Sequence, residues 1–217
     1  KLKLVDIQLT SLIISYITIN ITCNIYTMSL KNSLETLKNV RDNISDNLTD
    51  GVRNRKSDFR TFTLCTAGDT PSGRTVVLRG YDTSNGIITF HTNYHAKKIS
   101  QIENNANVCC VFYSKKLKLQ YRCFGNAIIN HANNKTKEAW NKMGSISKEC
   151  YFQNPLPDTE INNFDDFSKN IIDNQSDYFS VININLKKID CLFLKREGHR
   201  RAHIFINIPK EDTWIAP

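Results

Sequence analysis

The chain has 217 residues, 40% of them hydrophobic, and a formal net charge of +8. That length and apolar content support one sizeable domain, and the charge suits a phosphorylated ligand, a nucleic acid or an anionic membrane surface. The basic residues are dispersed rather than gathered into an arm and lack interleaved aromatics, so no nucleic acid and no membrane partner is expected, and the surplus charge is left without an account.

Residues 1–27 precede the first Met, Met28. They are expected to be an upstream extension, non-native or disordered, with residues 28–217 as a single domain. Leu9 to Thr27 carries no charge, but Thr, Ser and Asn interrupt it too often for a membrane span. Leu30 to Asn47 predicts a first helix through Leu30, Leu34, Leu37, Val40 and Ile44. Gly51 to Asp58 reads as a polar link and Phe59 to Thr66 as a strand, followed by a GDTPSG loop. Lys97 to Asn104 reads as a short helix, Val108 to Tyr113 as a buried strand and Leu117 to Asn130 as a longer one. Asn134 to Lys142 is helical, with Trp140 on one face; Gly144 to Asp177 is polar loop with short helices. Tyr178 to Asn185, Ile189 to Leu194 and Ala202 to Ile208 read as three strands. Six or more short strands with helices at the start and middle predict a mainly β, antiparallel barrel, closed or split.

The stretch from Arg74 to Lys98 is the most informative. Thr75 to Arg79 and Ile87 to Phe90 read as two strands joined by a turn at Asp82 to Gly86, where Asn85-Gly86 suits positive φ. The second strand runs into His91-Thr92-Asn93 and then Lys97-Lys98. Pairing of the two strands would bring Arg74 and Arg79 beside Thr92, Lys97 and Lys98, and four cations with a hydroxyl suit a phosphate monoester.

Seven cysteines without a CxxC pair point to reduced thiols in a cytoplasm-like compartment. No metal site is expected: His91/His95 and His199/His203 are four residues apart but lack acidic or cysteine partners. No GxGxxG is present, which argues against a Rossmann site.

The Arg74…Arg79, HTN and Ala96-Lys97-Lys98 pattern, with QIENNANVCCVFY and Gln120, resembles the flavin-phosphate hairpin of the pyridoxamine 5′-phosphate oxidase family. The resemblance runs from about Leu37 to Pro217. It implies an FMN-binding split β-barrel, six-stranded, antiparallel and of Greek-key type, working as a homodimer with FMN as cofactor. It also implies that Arg74 and Lys97 hold the flavin phosphate with Lys98 close by. Thr75, Val76, Val77, Leu78 and Arg79 would line the flavin, His91 and Thr92 would bind it, and Gln120 would reach it from the partner subunit.

Several positions depart from the family pattern. Arg79 stands where the family has Lys, and Ala96 where it has Ser. The family's Tyr, Arg and Ser on the middle helix are replaced by the Trp140-to-Lys148 segment, which looks like a divergent, oxidase-related branch. Arg79, Trp140, Arg200 and Arg201 are the expected substrate contacts, and no protein nucleophile need be sought because the flavin carries the chemistry. The implied function is a cytoplasmic oxidoreductase oxidising a phosphorylated small molecule with O2 as acceptor. The alternative is an FMN-binding protein or flavin reductase without vitamin B6 activity.

Overall fold

The structure is a computed structural model that describes residues 34–68, 70–151, 154–166 and 178–217. The expected extension at 1–27 and the start of the predicted first helix lie outside these residues. Helix α1 runs Leu37–Arg53, beginning where the Thr36 hydroxyl accepts the Asn39 N–H at 3.1 Å. It therefore continues past the predicted end at Asn47, because its apolar stripe of Val40, Ile44 and Leu48 extends to Gly51. A Cβ at Gly51 would stand 2.4 Å from the Phe59 carbonyl oxygen, so the chain turns back against the helix only with glycine there.

Nine strands follow, with the elements in this order: β1 Thr61–Thr66, β2 Ser72–Val77, β3 Gly80–Asp82, β4 Ile87–Asn93, helix α2 Lys97–Asn104, β5 Asn107–Ser114 and β6 Leu119–His131. Helices α3 Asn134–Asn141 and α4 Ser145–Glu149 precede β7 Phe179–Phe193, β8 Arg200–Phe205 and β9 Thr213–Ile215. Helix α2 has its predicted bounds. The two strands predicted between Tyr178 and Leu194 are one strand of 15 residues. Its polar Lys187-Lys188 marks a bulge opposite Phe124/Gly125 rather than a break.

All pairings are antiparallel, in the order β2-β1-β5-β6-β7-β4-β3. One edge of β7 is covered by β6. The other is shared between β4, along residues 179–185, and β8, along residues 188–193. The fold is thus mainly β, an open antiparallel sheet flanked by helices, with nine strands among the described residues where six were expected. Its two ends, β2 and β3, are joined by Leu78 and Arg79. The Leu78 N–H donates to the Arg60 carbonyl at 2.9 Å and the Arg79 N–H to the Thr89 carbonyl at 2.8 Å, so adjacent residues hold the two sides of the seam.

Alternation along β5 sends Cys110 and Phe112 into the core and Cys109 and Tyr113 outward. Phe62, Phe90, Phe112, Tyr121, Ile182, Ile184 and Ile189 fill the interior. Helix α1 closes one end: the fully buried Tyr121 hydroxyl donates to Asn43 Oδ1 and accepts from Asn47 Nδ2, both at 2.7 Å. The β3–β4 turn is as predicted, with Gly86 at φ 63° and the Asp82 carboxylate accepting from the Ser84 and Asn85 N–H groups. No helix of the described residues is long and apolar enough to cross a membrane.

Candidate functional site

A cleft of about 340 Å³ opens where β2 faces the end of β4. This size lies at the lower end of the range for small-molecule sites. Its walls come from Arg74 to Val77 and Arg79, from His91 to Asn93, from Ala96 and Lys98 at the start of α2, and from Cys150, Tyr151 and Pro157. The expected association of Arg74 and Arg79 with Thr92 and Lys98 therefore holds, but by a different route. The strand β2 pairs with β1, and β4 pairs with β3 and β7. Curvature of the sheet, not a direct β2–β4 ladder, sets the two segments face to face.

Arg74 is held in place by acceptors from three elements. Its guanidinium donates to the Leu64 carbonyl (3.2 Å), Thr66 Oγ1 (2.8 Å), Ser72 Oγ (2.7 Å) and Gln101 Oε1 (2.8 Å). Lys98 Nζ donates to Thr92 Oγ1 at 3.1 Å. Thr92 is itself fixed through its carbonyl, which accepts from the buried Ser180 hydroxyl. Burial lowers the Lys98 pKa, and the Arg74 charge lowers it further, with Asp158 pulling the other way. Two partly buried cations thus repel one another across a wall of the cleft, an arrangement that an incoming anion relieves.

Arg79 stands beside His91 and Tyr151. Burial, reinforced by the Arg79 charge, pushes the His91 imidazole down to about 4, so it is neutral at physiological pH. Its ring packs edge-on to Phe179 at 5.0 Å, and its Nδ1 is buried without a hydrogen-bond partner. Burial raises the Tyr151 phenol, against the pull of Arg79. Asn93 ties the two halves of this wall together: its Nδ2 donates to the Tyr151 carbonyl at 3.0 Å and its Oδ1 accepts the His95 N–H at 2.8 Å.

Other expected site residues lie elsewhere. The Leu78 side chain is fully buried in the core. Lys97 points along the neighbouring groove between α2 and the loop after β1, while its N–H donates to Asp158 Oδ2 at 3.0 Å. Gln120 sits on β6 opposite Tyr113 and Leu192 and does not line the cleft. Trp140 is buried behind the cleft against Tyr151, Phe179 and Val181, so it supports the wall rather than lining it. Arg200 and Arg201 border a different cavity with Glu35, His199, Trp214 and Ile215. Arg201 is bound to the buried Asp190 through two hydrogen bonds, at 3.1 and 2.9 Å, and Arg122 grips the same carboxylate. Burial would raise the Asp190 pKa, but these two guanidiniums outweigh it and hold it at about 2.

Sequence reasoning read the CYFQNPLP run, residues 150–157, as an aromatic-x-x-Pro-x-Pro mark of a divergent branch and gave Cys150, Tyr151 and Pro157 no place in the site. Of the residues that hold Arg74, Thr66 carried no signal, and Gln101 opens the QIENNANVCCVFY run of the resemblance without a role of its own having been assigned.

The family described as pyridoxamine 5′-phosphate oxidase, FMN-binding domain, matches residues 39–131, a span that holds β1 to β6 and the cationic wall of the cleft. This segment is a domain of that family. A pyridoxine/pyridoxamine 5′-phosphate oxidase of Leptospira interrogans is 36% identical over 66 residues, 30% of each chain. One from Rubrobacter xylanophilus is 44% identical over 57 residues, 26% of this chain and 25% of that one. The chain thus matches 30% or less of the length of these oxidases. Two solved structures share the fold of this chain, each at a TM-score of 0.64. One is a pyridoxamine 5′-phosphate oxidase-related, FMN-binding protein of Nostoc punctiforme, 19% identical, covering 82% of this chain and 96% of that one. The other is PhzG of Burkholderia lata in complex with tetrahydrophenazine-1-carboxylic acid, 12% identical, covering 86% and 96%.

Proposed function

We propose that the protein binds FMN in this cleft and is an FMN-dependent oxidoreductase related to the pyridoxine/pyridoxamine 5′-phosphate oxidases, with O2 as electron acceptor. The observation that carries the reading is the pair Arg74 and Lys98, two partly buried cations on one wall with the Thr92 hydroxyl between β4 and α2. The residues fit a phosphorylated flavin. Arg74 and Lys98 would neutralise the phosphate by charge-assisted hydrogen bonds, and the preset geometry of Arg74 lowers the ordering cost of doing so. Arg79 would supply positive charge toward the flavin, and neutral His91 and the Tyr151 phenol would offer hydrogen bonds in a partly dry wall. When bound, the flavin would supply the redox chemistry, and the protein's part is binding, orientation and electrostatics.

A second reading, an FMN-binding protein or flavin reductase without vitamin B6 activity, is favoured by the substrate side. Trp140 is buried, and Arg201 is committed to Asp190. We therefore place the physiological substrate outside pyridoxamine phosphate. The exposed Tyr113 and half-buried Gln120 on the outer face of β5 and β6 support a two-fold homodimer. The free thiols among the described residues suit a cytoplasmic protein. The test is the absorbance spectrum and flavin stoichiometry of purified protein. One FMN per chain, released intact on denaturation, is expected; colourless protein that neither carries nor takes up FMN would sink the reading.

A further inference from the structure

The cations that are dispersed along the sequence are gathered by the fold. Three segments meet at the end of the sheet where β5 leads into β6 and β7 ends. The end of α1 and the link after it carry Arg53, Arg55 and Lys56, all exposed. The β5–β6 turn carries Lys115, Lys116 and Lys118, also exposed. The turn after β7 carries Lys195, which lies over the Phe193 ring at 5.0 Å, and the exposed Arg196. Hydrogen bonds hold the segments together. The fully buried Ser114 hydroxyl donates to Asp58 at 2.6 Å and accepts the Leu117 N–H, and the Leu194 N–H donates to the Lys118 carbonyl at 2.9 Å.

Eight cations therefore share one pole with three carboxylates, Asp50, Asp58 and Glu197, and Asp58 is engaged by Ser114. None of these eight cations lines the flavin cleft, although the link after α1 approaches it where the Arg60 guanidinium bonds the Val52 and Leu78 carbonyls. The cleft residue Thr92 pairs with Ser180 near the start of β7, whereas Leu119 pairs with Phe193 at its end. The cationic pole is thus not part of the phosphate site, and it accounts for most of the chain's surplus charge.

We propose that this pole docks the phosphate backbone of a nucleic acid duplex, independently of base sequence. None of the exposed large hydrophobic side chains among the described residues falls in its three segments, and Leu117 and Phe193 there pack against the core. Tyr113, exposed just before Ser114, lies on the face proposed above for the homodimer, so the three segments themselves offer charge contacts to phosphates. Interspersed carboxylates also suit discrete, spaced phosphates better than the continuous anionic plane of a membrane. The dispersed basic residues that argued against nucleic acid in the linear sequence are contiguous in space.

The test is fluorescence anisotropy of the full chain with a labelled random-sequence 20-base-pair DNA duplex across a salt series, beside co-sedimentation with phosphatidylserine vesicles. The triple variant Lys115→Glu, Lys116→Glu, Lys118→Glu is compared with Lys135→Glu, Lys137→Glu, Lys142→Glu. The latter makes the same charge change on exposed positions of α3 and the residue after it. The turn variant should lose at least tenfold in affinity, with its log–log salt slope shallower by roughly 2 to 3. The α3 variant should lose less than threefold. Lys195→Glu with Arg196→Glu, on the separate turn, should reproduce the loss in protein whose circular dichroism matches the wild type. Equal loss from the turn and α3 variants, absence of duplex binding at 50 mM salt, or stronger binding to vesicles than to duplex would each overturn the proposal.

Discussion

Lys98 Nζ and Thr92 Oγ1 stand 3.1 Å apart, one at the first turn of α2 and the other at the end of β4. The contact places a lysine ammonium on a short helix against a strand hydroxyl, with the Arg74 guanidinium pressing from the third side. Lys98→Ala and Arg74→Ala should each weaken FMN binding by about 1.5–3 kcal/mol, ten- to hundredfold or more. They should leave riboflavin, which lacks the phosphate, much less affected. Quenching of flavin fluorescence in a titration measures both. Unchanged FMN affinity in both variants would remove the phosphate assignment.

Acid sensitivity should trace in part to His91. Its folded pKa of about 4 lies below the ordinary histidine value near 6.5, so the unfolded chain takes up a proton that the native state refuses. Stability from this source is complete above about pH 6.5 and falls as the pH drops toward 4, by roughly 2 to 3 kcal/mol at pH 4.5. His91→Phe keeps an aromatic ring against Phe179 and should lose that component. Urea unfolding of both proteins at pH 7 and pH 4.5 gives the comparison.

Asp190 works in a lower window. With a folded value of about 2 against roughly 3.9 unfolded, its stabilisation is full above about pH 3.9 and is lost as the pH falls through 2. Asp190→Asn should cost about 2–3 kcal/mol at neutral pH, because Arg122 and Arg201 lose a shared carboxylate. Thermal melts at pH 7 would show it as a lowered Tm. A Tm equal to the wild type would mean that the two guanidiniums find other partners.

The homodimer reading predicts a light-scattering mass of twice the 25.0 kDa chain. Tyr113→Glu, on the exposed face beside Gln120, should shift the protein toward monomer and release flavin. A wild-type monomer at full FMN occupancy would exclude an interface role for Gln120.

Oxidation of pyridoxamine phosphate should be slow, below roughly 1 s⁻¹ even with FMN bound. Of the four expected substrate contacts, Trp140 is behind the wall and Arg201 is tied to Asp190, so the phosphate grip is thin. An assay of pyridoxal phosphate formation by flavin-loaded protein decides it. Turnover at ordinary enzyme rates would restore the plain oxidase reading.

What the sequence made legible was local. Asp82 to Gly86, the HTN end of β4 and helix α2 each depend on residues within a few positions of one another, and each stands where the pattern put it. Partnerships across the chain were hidden. Nothing in Thr75 to Val77 says that these residues pair with β1 rather than with Ile87 to Phe90. The lysines of β7 read as a break because a bulge and a turn look alike in one dimension. The commitment of Arg201 to Asp190 was equally invisible, since it depends on the β7–β8 register.

The position of β7 sets the order in which the site can be made. β4 carries His91, Thr92 and Asn93, yet apart from the three residues of β3 its ladder partner is residues 179–185, about 90 positions further along. On a ribosome, therefore, the cationic wall from β2 and α2 emerges long before the strand that fixes the opposite wall. A nascent chain released short of β7 would expose both edges that β7 covers, on β4 and on β6, and hold no formed cleft. Completion of the cleft is thus confined to the last stage of synthesis.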